Sequence, residues 1–244
     1  MADLTSNFIG IKSPNPFWLA SAPPTDKEYN VRRAFDAGWG GVVWKTLGSE
    51  GPPIVNVSGP RYGAIWGADR RLLGLNNIEL ITDRPLQVNL EEIRRVKRDY
   101  PDRAVVISLM VPCDEDSWKD ILHRIEDTGA DGVELNFGCP HGMSERGMGA
   151  AVGQVPEYCQ MITEWVMEKT RVPVLVKLTP NITDTIRAKV IQVFILISGR
   201  RCSQSLKPNR NCSTIGITII RIGKSPGSRG SRPGSAGSGM TPAA

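Results

Sequence analysis

An amide, a thiol and an imidazole fall within six residues of one another in Glu134-Leu135-Asn136-Phe137-Gly138-Cys139-Pro140-His141-Gly142-Met143. Asn136, Cys139 and His141 together offer a hydrogen-bonding amide, an ionisable sulfur and a titratable ring. Asp131 to Phe137 reads as a strand, and the residues after it as the turn that ends it. The stretch that follows, Ser144-Glu145-Arg146-Gly147-Met148-Gly149, is too glycine-rich for core and too apolar for a solvated linker. Strands that deliver polar groups into loops are how α/β enzymes build sites at the carboxyl ends of their sheets. The plainer alternative is a strand-to-helix connection with an incidental cysteine.

Other strands end in polar residues as well. Asn15 to Pro24 reads as a short strand closing on Ser21 and other small residues. Thr25 or Asp26 caps a helix with Val31, Ala34 and Phe35 on one face and Gly38 as its stop. Gly40 to Leu47 is a buried strand with Lys45 near its carboxyl end, so the first three elements form a βαβ unit and imply a parallel sheet. Residues 48–88, rich in Gly, Pro and Asn, read as one long loop. It carries Asn76-Asn77-Ile78-Glu79-Leu80-Ile81, where ordinary turn chemistry accounts for the paired amides.

Asn89 then caps a helix with Leu90, Ile93 and Val96 on one side, ending near Pro101. Ala104 to Met110 is a continuous apolar strand. Asp114 or Asp116 starts a helix that turns Trp118, Ile121, Leu122 and Ile125 inward and stops at Gly129. A helix from Pro156 to Lys169 follows the central strand, with Tyr158, Ile162 and Val166 on one face. Arg171 to Leu178 is the fifth strand, with Lys177 near its carboxyl end.

Five β units in mostly βα alternation predict an α/β fold, either a (β/α)8 TIM barrel or a doubly wound sheet. No glycine-rich fingerprint follows the first strand, and Gly147-Met148-Gly149 lacks the dinucleotide-binding spacing. The barrel is therefore favoured. Taken singly, Ser21, Lys45, Asn136 and Lys177 are solvated strand-end residues; converging on one barrel rim, they make a site.

With 244 residues, 40% of them hydrophobic, the chain can bury a sizeable core. No apolar run reaches the roughly 18 residues of a membrane helix, and the N-terminus lacks a secretory pattern. Five cysteines, an odd number without a regular framework, point to a reducing cytoplasm. The net charge of +5 averages two unlike regions. Residues 1–184 hold all 25 acidic residues against 20 Lys and Arg, a net of −5, while residues 185–244 hold the other 10 basic residues and no acid.

Six ordered motifs carry a family resemblance: Asn15-Pro-Phe-Trp-Leu-Ala-Ser-Ala, Arg33-Ala-Phe-Asp-Ala-Gly-Trp-Gly, Trp44-Lys-Thr-Leu, Asn77-Ile-Glu-Leu-Ile, Glu134-Leu-Asn-Phe-Gly-Cys-Pro-His-Gly-Met and Lys177-Leu-Thr-Pro-Asn-Ile-Thr-Asp. Over about residues 5–184 the chain resembles the FMN-binding, pyrimidine-reducing barrel of dihydropyrimidine dehydrogenases, above all the catalytic subunit of the bacterial NAD-dependent type. Dihydroorotate dehydrogenases are the wider relatives. The resemblance implies reduction of uracil or thymine to the 5,6-dihydro form, with hydride from FMN N5 to C6 and electrons from NADH through a partner flavoprotein subunit.

Residue by residue, the resemblance makes Cys139 the general acid that protonates C5, a role open to a thiol because thiols ionise near about 8.5. The loop around it suits a lid over the substrate. Asn77 and Asn136 match amides that hold the pyrimidine, with Phe137 and Gly138 beside it, partly through backbone. Ser21, Lys45, Thr46 and Lys177 match flavin contacts; a cation near flavin N1 and O2 favours the reduced, anionic ring. His141 and Arg146 are assigned no chemistry.

The resemblance stops at Thr183-Asp184. Beyond it the family continues with three more βα units and glycine-rich loops for the FMN phosphate. Here only Val190 to Ile197 and Ile215 to Ile220 are apolar, in a basic Arg/Ser/Gly/Pro tail that reads as disordered. Cys202 and Cys212 lack iron–sulfur spacing. The expectation is an incomplete barrel of about five βα units with a truncated or frame-shifted terminus, two unpaired sheet edges and weak or absent FMN binding. Alternatives are a dihydroorotate dehydrogenase, an inactive fragment of either enzyme, and a protein whose tail binds nucleic acid, the last disfavoured by the tail's lack of aromatics.

Overall fold

The computed structural model describes residues 2–49, 54–56, 61–140, 147–178 and 219–222, with Asn77 and residues 219–222 described by backbone alone. The chain opens with a hairpin of β1 (Ser6–Phe8) and β2 (Ile11–Ser13). Its two-residue loop, Ile9-Gly10, has φ of 52° and 99°, the left-handed pair that a tight hairpin turn requires. Next come β3 (Trp18–Leu19), α1 (Glu28–Asp36), β4 (Gly41–Leu47), β5 (Tyr62–Trp66), β6 (Leu72–Asn77) and α2 (Leu86–Asp99). They are followed by β7 (Ala104–Leu109), α3 (Glu115–Glu126), β8 (Gly132–Phe137), α4 (Ala150–Gly153), α5 (Pro156–Lys169), β9 (Val174–Leu178) and β10 (Ile219–Ile222).

Five strands, β3, β4, β7, β8 and β9, lie parallel in that order. Every residue of β4, β7 and β8 is buried, as befits a parallel sheet covered on both faces. The outer face carries Trp44, Leu47, Ile107, Leu109, Val133, Leu135 and Val176, packed against the apolar stripes of the helices. On the inner face, Val43, Ala104, Val106 and Leu175 form a floor that Ile11 of the hairpin closes. A Cβ at Gly132 would come within 2.9 Å of Ile11 Cδ1 and 3.0 Å of the Pro173 carbonyl oxygen, so a larger residue there would make the plug shift. The architecture is α/β, an incomplete TIM barrel.

Several element boundaries differ from expectation. The long loop over residues 48–88 contains the antiparallel pair β5 and β6. Its apolar residues are solvent-exposed, Leu75 to 80%, so no burial pattern announced it. Helix α1 starts after Lys27 rather than Thr25 or Asp26, because the Thr25 hydroxyl is bonded within the preceding turn, to Ala20 and Ala22. Asn89 is no cap: α2 begins at Leu86, and Asn89 is buried within it, accepting from Trp44 Nε1 at 3.1 Å. Asp114 does cap α3, accepting from Ser117 N at 2.9 Å.

The edge beyond β9 is not open. β10 pairs with β9 antiparallel, with Ile219 opposite Lys177 and Ile222 opposite Val174. The rest of the tail's expected disorder falls outside the described residues, as do His141 and Arg146. Among the described residues, no helix is long and apolar enough to cross a membrane.

Candidate functional site

Period-two alternation along a strand sends neighbouring residues to opposite faces. β4 breaks that rule at one point. Trp44 pairs with Ile107 and Leu47 with Leu109, so Lys45 and Thr46 together face the single residue Ser108. This is a bulge, and it directs two consecutive side chains inward. Trp44 and Leu47 stay in the outer core while Lys45 and Thr46, both 3% exposed, reach the inner face.

Thr46 is the hub of a polar layer above the apolar floor. Its Oγ1 lies 2.8 Å from Ser108 Oγ and 3.1 Å from Ser21 Oγ, and it accepts from Asn136 Nδ2 at 2.9 Å. The Thr46 amide donates to Ser21 Oγ at 3.1 Å. Ser108 donates to Glu134 Oε1 at 2.8 Å, and Lys177 Nζ donates to the same oxygen at 2.6 Å. Lys45 Nζ donates to Glu79 Oε1, which also accepts from Arg61 Nη1 at 3.0 Å. Five parallel strands or their carboxyl-end extensions thus supply Ser21, Thr46, Ser108, Glu134, Asn136 and Lys177 to one connected network, and Lys45, next to Thr46 at the bulge, bonds to the Glu79 carboxylate beside it.

The turn after β8 is fixed from both sides. Asn136 Oδ1 accepts from Gly138 N at 3.2 Å, so the amide that joins the layer also shapes the approach to Cys139. The Cys139 carbonyl accepts from Ala150 N at 3.0 Å, which ties the turn to the start of α4. Gly149 has φ of +58°, and a Cβ there would lie 2.5 Å from the Cys139 carbonyl oxygen. Glycine is required on both counts. The half-buried Cys139 packs with Ile81, Met110 and Met148, an apolar wall beside the polar layer.

Of the residues singled out in the sequence, Ser21, Lys45, Thr46, Asn136 and Lys177 come together. Asn77 ends β6, opposite Tyr62. Phe137 is 1% exposed with its side chain in the outer core, which leaves only its backbone near the turn. Gly138 lies in that turn. Ser108, Glu134, Glu79 and Arg61 were missed. For Ser108 and Glu134 a signal existed: Ser108 is a polar residue in a strand otherwise apolar, and Glu134 stands two residues before Asn136, on the same face. A groove of about 570 Å³ at the opposite end of the sheet, lined by Lys12, Asp102 and Asp131 among others, contains none of these residues.

Residues 3–198 match the family described as dihydroorotate dehydrogenase. The chain is 44% identical over 187 residues to the chloroplastic dihydropyrimidine dehydrogenase (NADP(+)) of Arabidopsis thaliana, covering 75% of this chain and 44% of that protein. It is 40% identical over 182 residues to the NAD-dependent dihydropyrimidine dehydrogenase subunit PreA of Escherichia coli (strain K12), covering 75% and 43%. It is 34% identical over 187 residues to the dihydroorotate dehydrogenase B (NAD(+)) catalytic subunit of Pyrococcus abyssi, covering 74% and 55%. The chain spans less than half the length of the first two relatives. With the family match covering most of the sequence and five parallel strands converging on one polar layer, the chain belongs to the dihydroorotate dehydrogenase family.

Proposed function

We propose that this chain carries the pyrimidine- and flavin-facing part of an FMN-dependent reductase of uracil or thymine. Electrons come from NADH through a partner flavoprotein subunit; the Escherichia coli relative is itself named a subunit. The observation that carries the reading is the convergence of Ser21, Lys45, Thr46, Asn136 and Lys177 on one buried layer beside Cys139. This donor set fits the isoalloxazine edge of FMN, whose carbonyl oxygens and ring nitrogens call for ammonium, hydroxyl and amide partners. When bound, FMN supplies the hydride for the pyrimidine C6.

The chain's own residues do the rest. Lys45 and Lys177 present cationic charge from two strands, and Ser21 and Thr46 present hydroxyls between them. With one N–H given to Thr46 and one lone pair to Gly138, the Asn136 amide keeps a donor and an acceptor for the pyrimidine edge. Asn77 supplies a second amide, and the Phe137 and Gly138 backbone lines the approach. Cys139 holds the proton destined for C5, and Ile81, Met110 and Met148 cover one side of that thiol. The three described cysteines are all free.

The test is to refold the full-length chain with FMN and record the flavin absorbance of the desalted protein. Bound flavin supports the reading; a colourless protein overturns it. In a chain that binds FMN, C139A is expected to keep the flavin and lose about 10²–10⁴ of uracil reduction. The 34% identity to a dihydroorotate dehydrogenase B catalytic subunit favours a second reading, oxidation of dihydroorotate. Turnover of uracil against orotate separates the two.

A further inference from the structure

Each lysine of the inner layer is matched by a carboxylate. Lys177 Nζ is bonded to Glu134 Oε1 at 2.6 Å and Lys45 Nζ to Glu79 Oε1. Lys45 and Glu134 are each 3% exposed, and Glu79 8%. Neither carboxylate hangs free. Glu134 Oε1 also accepts the Ser108 hydroxyl at 2.8 Å. Glu79 is gripped by Arg61 Nη1, at 3.0 Å to Oε1 and 3.2 Å to Oε2. A carboxylate anchored on one side and bonded to an ammonium on the other fixes where that ammonium stands. It also subtracts from the ammonium's field, and in a buried layer salt does little to screen the subtraction.

We propose that Glu79 and Glu134 are positioning residues for the flavin lysines: each fixes one ammonium and offsets its charge, and together they set how far the site favours reduced over oxidised FMN. The inference rests on the FMN reading above. A cation at the pyrimidine end of the isoalloxazine stabilises the extra negative charge of the reduced ring. A counter-carboxylate on that cation weakens the preference, and its removal strengthens it. The two glutamates act on different strands, Glu134 through Lys177 of β9 and Glu79 through Lys45 of the β4 bulge, so their effects are separately measurable.

The experiment titrates the full-length chain and its E79Q and E134Q variants with oxidised FMN and, anaerobically, with reduced FMN. Each substitution is expected to raise the ratio of the two dissociation constants, oxidised over reduced, by about tenfold, equivalent to about 30 mV for a two-electron couple. E79D and E134D keep the charge and return the ratio towards the parent's even where both affinities fall. A purely structural role weakens both affinities in proportion; an unchanged ratio in a flavin-binding chain therefore overturns the tuning and leaves the proposed function standing. No FMN bound by the parent chain overturns the proposed function and the tuning with it. Acylation of Lys177, read by peptide mass spectrometry, then judges the positioning: a severalfold faster rate in E134Q supports it, and an equal rate overturns it.

Discussion

The two faces of the same five strands are built on opposite terms. On the outer face Trp44, Ile107, Leu109, Val133, Leu135 and Val176 are all buried against helices. On the inner face the apolar residues stop at the floor of Val43, Val106 and Leu175. Above that floor Lys45, Thr46, Ser108, Glu134, Asn136 and Lys177 take over. One sheet therefore separates stability from chemistry by alternation alone, with the bulge in β4 as the single place where the alternation shifts. On the outer face a buried polar atom without a partner is a cost, as at Trp118 Nε1, which has none among the described residues, whereas the polar side chains of the inner layer bond mainly to one another.

The largest effect belongs to the outer face. Trp44→Ala removes one of the largest fully buried side chains and leaves Asn89 Oδ1 without its indole donor. The expected loss is about 3–5 kcal/mol, as for other buried Trp or Phe truncations, read as a lower urea midpoint by circular dichroism. A loss under 1 kcal/mol would mean that the outer face is not the stabilising one.

A matched pair of substitutions sharpens the contrast. Thr46→Val keeps the shape but strips the hydroxyl that Asn136, Ser108 and Ser21 share. Val106→Thr adds a hydroxyl to the floor, at a residue that is fully buried among apolar neighbours. Both are expected to cost about 1–3 kcal/mol, one by orphaning partners and the other by burying a new polar group. If either proves neutral, the boundary between layer and floor lies elsewhere.

This separation also governs what was readable beforehand. The outer face was legible because short, β-branched apolar runs such as Val42-Val43-Trp44 and Ala104 to Ile107, bounded by turn residues, read as strands buried on both sides. The helical stripes Val31/Phe35 and Ile121/Leu122/Ile125 point at them. The inner layer was half legible. Lys45, Asn136 and Lys177 stood out as polar strand ends, but pairing Lys45 and Thr46 on one face required a bulge that no local pattern announces. The partners Glu79 and Arg61 come from the edges of a hairpin whose apolar residues face solvent, which left it indistinguishable from loop. Asn89 looked like a cap because buried asparagines inside helices are rare; Trp44, far away in sequence, supplies the reason for this one.

Charge holds the outer helices at their exposed rims, and here pH is the probe. Glu92 accepts from Arg84 Nη2 at 2.5 Å and from the Glu28 amide at 2.9 Å. Burial pushes its pKa up, but those bonds and the neighbouring guanidinium charges outweigh burial and hold it below the ordinary 4.5. Asp99, bonded by Arg98 and Arg32, is lowered to about 2. Both groups have depressed folded pKa values, so their contribution is present above the unfolded values and lost as pH falls through the folded ones. The Tm is therefore expected to drop as pH is lowered from about 4.5 towards 2. Asp26 runs against this trend, since burial raises its pKa above 3.8. Glu92→Gln isolates the first contribution: its deficit, about 1 kcal/mol near neutrality, should shrink as pH falls. A deficit constant with pH would assign Glu92 a packing role instead.

The smallest effect leaves stability untouched and compares the two faces by reactivity. Cys159 is buried on the outer side, donates to the Val152 carbonyl at 3.2 Å, and is pushed up to about 12 by desolvation. Because the thiolate is the reactive form, only about one molecule in 10⁴ at pH 8 carries it there. Cys139, on the inner rim, is half-buried at the edge of its apolar wall. Brief iodoacetamide treatment of the native chain, mapped peptide by peptide, is expected to mark Cys139 and leave Cys159 unmodified until denaturant is added. Equal labelling of the two thiols in the native chain would show that α5 opens as readily as the site does, and the division between a closed outer face and an accessible inner rim would then fail at that helix.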